Sequence, residues 1–347
     1  MPYSHHSHSG SYCKHAHDTL DSVIETAQAK NFKIFCLTEH VPRLTPEFLY
    51  PEELEQNMTP ESLMEQFQNY VISARIHQKK VNNNINNDTK LLVGFESEGG
   101  INEDHLNMCM KLRKDIDADL IIGSIHHVNG TDIDFDQQTW DKAVIECEGI
   151  RGLYREYFKL LNNMIYKLKP QVVAHFDLIR LFANTTIELE NVENGELIVK
   201  KVKITQEEKL GITIQEDWPD VWSLIEDSID LIVKYNLTVE LNSSAIRKGW
   251  NTPYPKDDIM KTMISKGVKF VLSDDSHGDD QVGLNYQFVL EYIKKMKLEK
   301  IYYHDIIEWN NSAVREGKGE VVLNSVTVDE LIKDDFWKVN YPSLFNI

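Results

Sequence analysis

Cysteine is scarce in this chain of 347 residues, and the four present, Cys13, Cys36, Cys109 and Cys147, form no CxxC pair and no framework spacing. That excludes a thiolate zinc finger and a disulfide scaffold, and it points to a reducing, cytoplasmic compartment. Positive charge is also short, with 37 Lys and Arg against 55 Asp and Glu and a formal net charge of -18. Nucleic acid is held mainly by Lys and Arg neutralising phosphates, and no basic, aromatic-rich stripe is present, so no nucleic-acid partner is expected. No apolar run reaches membrane-spanning length, which argues against a membrane partner. The opening MPYSHHSHSG lacks the basic and apolar regions of a signal peptide. The oligomeric state is not encoded in any pattern of this kind.

What the chain does contain is an alternation of helix and strand signals. At 41% hydrophobic content it can bury a large core, and its length suits one α/β barrel with insertions. A helical pattern over about 18–31 leads into the apolar run Ile34-Phe35-Cys36-Leu37. Thr59-Pro60-Glu61 has the cap, proline and acid of a helix start, followed by Leu63, Phe67 and Val71 as a core stripe. Further strand signals lie at 91–95, 120–125, 171–174, 237–241 and 268–272, separated by helical patterns at 105–116, 152–168, 219–235 and 257–266. About seven strands alternating with helices predict a parallel sheet. The polar run 81–88 reads as a solvated loop. Residues 184–215 read as a hairpin insertion around Gly195. A C-terminal extension from about 302, carrying Asn310-Asn311-Ser312 and Trp337, reads as a closing strand and a helix near 328–336.

Seven of the thirteen histidines fall just past these apolar stretches, together with carboxylates. They are His6, His8, His15, His40, His126, His175 and His277, joined by Glu96 and Asp275. Imidazole and carboxylate hold zinc, manganese or iron without thiolate, and strand C-termini are where a βα barrel assembles its active site. A histidine-rich start also fits an expression tag, but tags are usually uninterrupted runs. His6-Ser7-His8 instead alternates, which on an extended strand puts both rings on one face and turns His5 away.

The HxH start with His15 following, the EH at His40, the GxE at Glu96, GSxHH at His126, AHF at His175 and SDxSH at Asp275 and His277 stand in one order. In that order they resemble the polymerase and histidinol phosphatase (PHP) superfamily of metal-dependent phosphoesterases over most of the chain. LTEHVPR, IIGSIHHVNG, IDFDQQTW and VLSDDSHG are similar, more narrowly, to fungal-type histidinol-phosphatases. The resemblance implies a distorted (β/α)7 TIM-like barrel as a single domain over 1–347, with three divalent metal ions. It implies His6, His8, Glu96 and Asp275 at one ion, His15, His40 and His277 at a second, and a bridging Glu96 with His126 and His175 at a third. His17 is a neighbour that could replace His15. Glu96, His126, Asp275 and His277 are expected at the reacting centre. The implied activity is hydrolysis of L-histidinol phosphate in histidine biosynthesis, or of another small phosphate ester on the same scaffold; a non-catalytic metal-binding protein is the remaining class.

Physical chemistry supports phosphate as the target. A phosphate monoester dianion repels an attacking anion, and clustered divalent ions place positive charge on both attacking and leaving oxygens. Substrate contacts are expected from Arg247, whose planar fork suits phosphate, from Arg43 on the same reasoning, and from Glu98 at a cationic end. Glu98 equally suits a partner behind a ligand histidine, as do His127 and Glu39. His77, His105 and His304 are expected at the surface or at helix caps.

Overall fold

The computed structural model describes residues 2–193, 196–307 and 319–345. Its strands are β1 (Tyr3–Ser4), β2 (Ile34–Leu37), β3 (Lys90–Glu96), β4 (Leu120–Gly123), β5 (His127–Val128), β6 (Thr131–Asp132), β7 (Val172–Val173), β8 (Asn184–Glu193), β9 (Glu196–Thr205), β10 (Thr238–Asn242), β11 (Lys269–Ser273), β12 (Lys300–Ile307) and β13 (Glu320–Thr327). Seven form one parallel sheet in the order β1-β2-β3-β4-β7-β10-β11. The sheet curls until its edges nearly meet: the His5 N–H donates to Leu272 O at 3.2 Å, and Ser7 bridges Ser276 in parallel. A barrel with helices outside buries its strands on both faces, which is why β2 and β10 contain no exposed residue.

The helices dock on the outside through the expected apolar stripes. The helix Pro60–Asn82 starts at Thr59, whose hydroxyl accepts the Ser62 N–H, and it buries Leu63, Phe67, Tyr70, Ala74, Gln78 and Val81 along one face. Tyr70 ties that face to the sheet by donating its hydroxyl to Leu37 O at 2.6 Å. The helices Gln137–Glu146 and Tyr286–Lys295 lie outside the expected set.

Residues 184–205 form a two-stranded antiparallel hairpin, β8 with β9; Gly195 lies outside the described residues. The C-terminal strand does not close the barrel. It pairs instead with a second strand, β12 with β13, antiparallel from Lys300 opposite Thr327 to Ile307 opposite Glu320. Asn310, Asn311 and Ser312 lie outside the described residues. This ribbon covers the end of the barrel where the strands begin: Tyr303 stacks on Tyr3 at 4.0 Å, and His304 Nε2 is 3.3 Å from the Thr238 hydroxyl. His304 is therefore buried, a correction to its expected surface position, and burial pushes its pKa down to about 3. His5 points to the same side, donating from Nδ1 to Leu272 O and accepting the His304 N–H at Nε2, which assigns its tautomer. Trp337 is fully buried and donates its indole N–H to Leu331 O. With that end covered, the opposite mouth is left for chemistry.

Candidate metal centre

Donors leave the strands where the strands stop. β3 ends on Glu96 itself, β4 three residues before His126, β7 two before His175, and β11 two before Asp275. His40 forms a parallel bridge with Glu96 just past β2. Asp275 has φ 48°, a left-handed conformation that Asp tolerates through local hydrogen bonding. That bend lets Asp275 and His277 join one donor group with His8.

Glu96 is the hub of the cluster. Its Oε1 lies 3.1 Å from Nε2 of both His126 and His175. Its Oε2 lies 3.3 Å from His6 Nε2, 3.4 Å from His8 Nε2 and 2.9 Å from His40 Nδ1. Asp275 Oδ1 is 3.5 Å from His8 Nε2 and 3.7 Å from His6 Nε2. His15 and His40 face each other, Nε2 to Nε2, at 3.1 Å.

Hydrogen bonding does not account for this convergence, because His6 Nε2 and both His8 ring nitrogens are buried without a hydrogen-bond partner among the described residues. Ligand atoms about 2.0–2.2 Å from one tetrahedral ion stand roughly 3.3–3.6 Å apart, close to the spacing found here. The donor atoms of His6, His8 and Glu96, of Glu96, His126 and His175, and of His15, His40, His277 and Cys13 each lie within 4.8 Å of one another. Imidazole and carboxylate in these sets fit divalent transition metals.

The electrostatics point the same way. Burial disfavours charge on His6, yet Glu96, Asp275 and Glu240 hold its pKa well above the ordinary value. Burial alone would raise the Glu96 carboxyl, and the His6, His126 and His40 rings instead bring it well below the usual range. His40 and His277 are pushed well down, by burial first and then by the neighbouring His8. The carboxylates thus create a point that favours positive charge, surrounded by rings that offer lone pairs.

Behind the donors stands a layer of acids. Glu98 Oε2 accepts from Nδ1 of His126 at 3.1 Å and of His127 at 3.0 Å, while its Oε1 accepts the Gly100 N–H at 2.6 Å. A Cβ at Gly100 would lie 1.9 Å from His127 O, so this close approach needs glycine. Glu240 accepts from His6 Nδ1 at 3.2 Å and from the His175 N–H at 2.6 Å. Ser124 donates its hydroxyl to Glu96 Oε1 at 2.6 Å. Such partners set the tautomer and orientation of the rings in front of them. Above the cluster opens a cavity of about 290 Å³ whose floor is formed by His40, Glu96, His126, His175, Asp275 and His277.

Residues 4–244 match the PHP domain. The chain belongs to the PHP domain family. It is 36% identical to a Schizosaccharomyces pombe protein named "Probable histidinol-phosphatase", over 95% of this chain and 96% of that one. It is 32% identical to the histidinol-phosphatase of Saccharomyces cerevisiae, over 96% and 99% of the two chains. A Listeria monocytogenes crystal structure shares the fold at a TM-score of 0.64 and 19% identity, covering 82% of this chain and 98% of that one. The histidinol phosphate phosphatase of Lactococcus lactis, solved with zinc, L-histidinol and phosphate, matches at a TM-score of 0.53 and 14% identity, covering 85% and 92%.

In this PHP chain, all nine donors expected from sequence reach the one mouth. His15 lines the cavity, whereas His17 turns to Asp280 at 2.7 Å. Arg247 lines the cavity and donates from Nη2 to Asp275 O at 3.2 Å. Arg43 and Glu98, expected to touch substrate, are placed otherwise. Arg43 is buried, paired with Glu53 and lying 4.4 Å over the Tyr50 ring, so its fork is already taken. Both Glu98 oxygens are occupied behind His126 and His127. His105, expected at the surface or at a helix cap, is buried in the first turn of the helix Glu103–Asp115, its N–H and Nδ1 on the cap residue Asn102 and its Nε2 accepting the Leu44 N–H at 3.0 Å, while His77 is 3.5 Å from Asp21. Sequence reasoning passed over Glu240, although a glutamate inside the apolar strand Thr238–Asn242 was a visible signal. It also passed over Tyr50, Glu52, Asp134, Phe135, Lys248 and Gln281, which line the cavity. They come from short helices and loops, Glu52 from Pro51–Glu55 and Gln281 from Asp279–Gln281, whose approach to the mouth is set by tertiary packing. No helix among the described residues is long and apolar enough to cross a membrane.

Proposed function

We propose that this chain is a metal-dependent phosphomonoesterase that hydrolyses L-histidinol phosphate to L-histidinol and inorganic phosphate, a step of histidine biosynthesis. The observation that carries the reading is Glu96, whose two buried oxygens are shared among five histidine rings at one barrel mouth. Similarity across nearly the full chain to two fungal proteins bearing the histidinol-phosphatase name supplies the substrate. The whole chain is read as one barrel domain, with the hairpin as an insertion and the C-terminal ribbon as an extension.

His6, His8, Glu96 and Asp275 would hold one ion, His15, His40 and His277 a second, and Glu96, His126 and His175 a third; zinc, manganese and iron all suit these donors. Bound divalent ions supply positive charge to phosphoryl oxygens and acidify water. The protein's own groups do the rest. Arg247, held against the Asp275 carbonyl, reaches into the cavity to grip phosphate through its planar fork. Glu98 and Glu240 keep the rings of His126 and His6 in fixed orientations, and Glu240 also anchors the backbone at His175. A cavity of about 290 Å³ suits a small ester. Four free, buried cysteines suit a reducing compartment, the cytoplasm.

The test is phosphate release from histidinol phosphate beside a panel of other phosphomonoesters, after chelation and after metal add-back. Metal-dependent preference for histidinol phosphate is the expected result. Release from a different ester alone would discard the substrate, and release from none would discard the phosphatase.

A further inference from the structure

The rim of the cavity carries a carboxylate that no neighbouring donor pairs with, although its charge helps raise the pKa of the His126 ring. Asp134 lines the cavity, and its carboxylate has no hydrogen bond or ion pair among the described residues. The other acids lining this cavity are engaged: Glu52 is 2.9 Å from His15 Nδ1, and Glu96 and Asp275 face the histidine cluster.

Its place is set from both sides. The Ile133 N–H donates to His126 O at 2.9 Å, and Asp136 caps the helix Gln137–Glu146 by accepting the Thr139 N–H at 2.7 Å. Between these anchors the chain leaves β6, bends over 133–135, buries Ile133 and turns Asp132 to His127 Nε2 at 2.8 Å. Asp134, two residues further along, meets the cavity instead. Phe135 follows it as a large ring at the rim, 44% exposed. Arg247, the group suited to phosphate, arrives from the loop after β10, with β7 standing between the two loops in the sheet. A cation on one part of the rim and an unpaired carboxylate beside an aromatic ring on another fit a ligand with phosphate at one end and a cationic, planar group at the other.

We infer that Asp134 and Phe135 form the subsite for the leaving alcohol, the Asp134 carboxylate accepting from its primary ammonium group and the Phe135 ring lying against its imidazole. This rests on the proposed histidinol phosphate reading and adds the residues that distinguish this amino alcohol from other phosphate esters. An ionised acceptor beside an ammonium donor is a charge-assisted contact, and an aromatic face adds apolar area with a preferred geometry.

Steady-state phosphate release from three esters tests it, with metal loading matched across proteins. They are histidinol phosphate, 2-aminoethyl phosphate, which has the ammonium without the ring, and phenyl phosphate, which has a ring without the ammonium. In Asp134→Asn the ratio of kcat/KM for histidinol phosphate to that for phenyl phosphate falls about tenfold, mainly through KM. Asp134→Glu restores part of that ratio. Phe135→Leu lowers the preference for histidinol phosphate over 2-aminoethyl phosphate by about threefold. A ratio in Asp134→Asn within about twofold of wild type overturns the inference, because damage to the metal cluster lowers all three esters together. Phe135→Leu, at an exposed position, serves the same purpose should the Asp134 variants not fold. Wild-type protein that hydrolyses the other esters but rejects histidinol phosphate refutes the functional reading itself, and the subsite with it.

Discussion

Replacing Glu96 by Gln preserves the shape of the side chain and removes one charge from the centre of the cluster. The native carboxylate is 1% exposed, with Oε1 against His126 and His175 and Oε2 against His6, His8 and His40. If it serves two ion positions at once, the substitution removes an anionic contact from each. A charge-assisted contact contributes about 1.5–3 kcal/mol, so two give about 3–6 kcal/mol, or roughly 10²–10⁴-fold in metal retention and in kcat/KM. The fold should survive, since Gln keeps the volume and can still accept from the Ser124 hydroxyl. Elemental analysis of purified protein, phosphate release and circular dichroism read the three quantities separately. A folded Glu96→Gln protein with wild-type metal content and turnover would refute the whole assignment of the centre. Lost metal with unchanged turnover would refute its role in catalysis.

Three further outcomes follow from other contacts. Arg247→Ala should raise KM if the guanidinium grips phosphate in the ground state, or lower kcat if the contact strengthens at the transition state; unchanged kinetics would remove it from the site. Arg180 is buried, bidentate to Asp258 at 2.9 and 2.8 Å, and also near Asp177 and Glu207. Arg180→Leu leaves Asp177 and Glu207 buried without their cation and should cost about 3–5 kcal/mol in denaturant unfolding; an unchanged midpoint would contradict this. Asp258 has its carboxyl brought down from 3.8 to about 2, since Arg180 outweighs a burial that would raise it. A depressed folded-state pKa gives stability that is complete above the unfolded value and lost as pH falls through the folded one. Asp258→Asn should therefore flatten the loss of stability between those two pH values, and an unchanged slope would exclude this contribution.

The barrel was legible because its strands are buried on both faces and its helices on one. Runs such as Leu91-Leu92-Val93 and stripes such as Leu63, Phe67 follow directly from those two kinds of burial. The C-terminal ribbon was legible only in part: a strand near Tyr302 was visible, but its partner at Glu320–Thr327 lies beyond a long intervening segment. Pairing at that separation has no local signal. His304 was misplaced for the same reason, since its burial comes from Thr238 and His5, far away in sequence. Arg43 looked free three residues after a donor histidine, and only its packing over Tyr50 beside Glu53 shows its charge already matched.

Which residue types are available for the chemistry was therefore determined by the sequence alone: with no paired cysteines, imidazole and carboxylate are the donors on offer, and at strand ends they stand out against apolar neighbours. The tertiary structure decided which atoms share a point in space. Glu96, His126 and His175 lie in separate strand-end segments, and only closure of the sheet brings Glu96 Oε1 within 3.1 Å of both rings. It also decided which acids stand behind the rings and which face open space. Glu98 and Asp134 look alike in sequence, but the fold surrounds one with donors and leaves the other at the rim. Burial and partner geometry are properties of the whole chain, and no local pattern contains them.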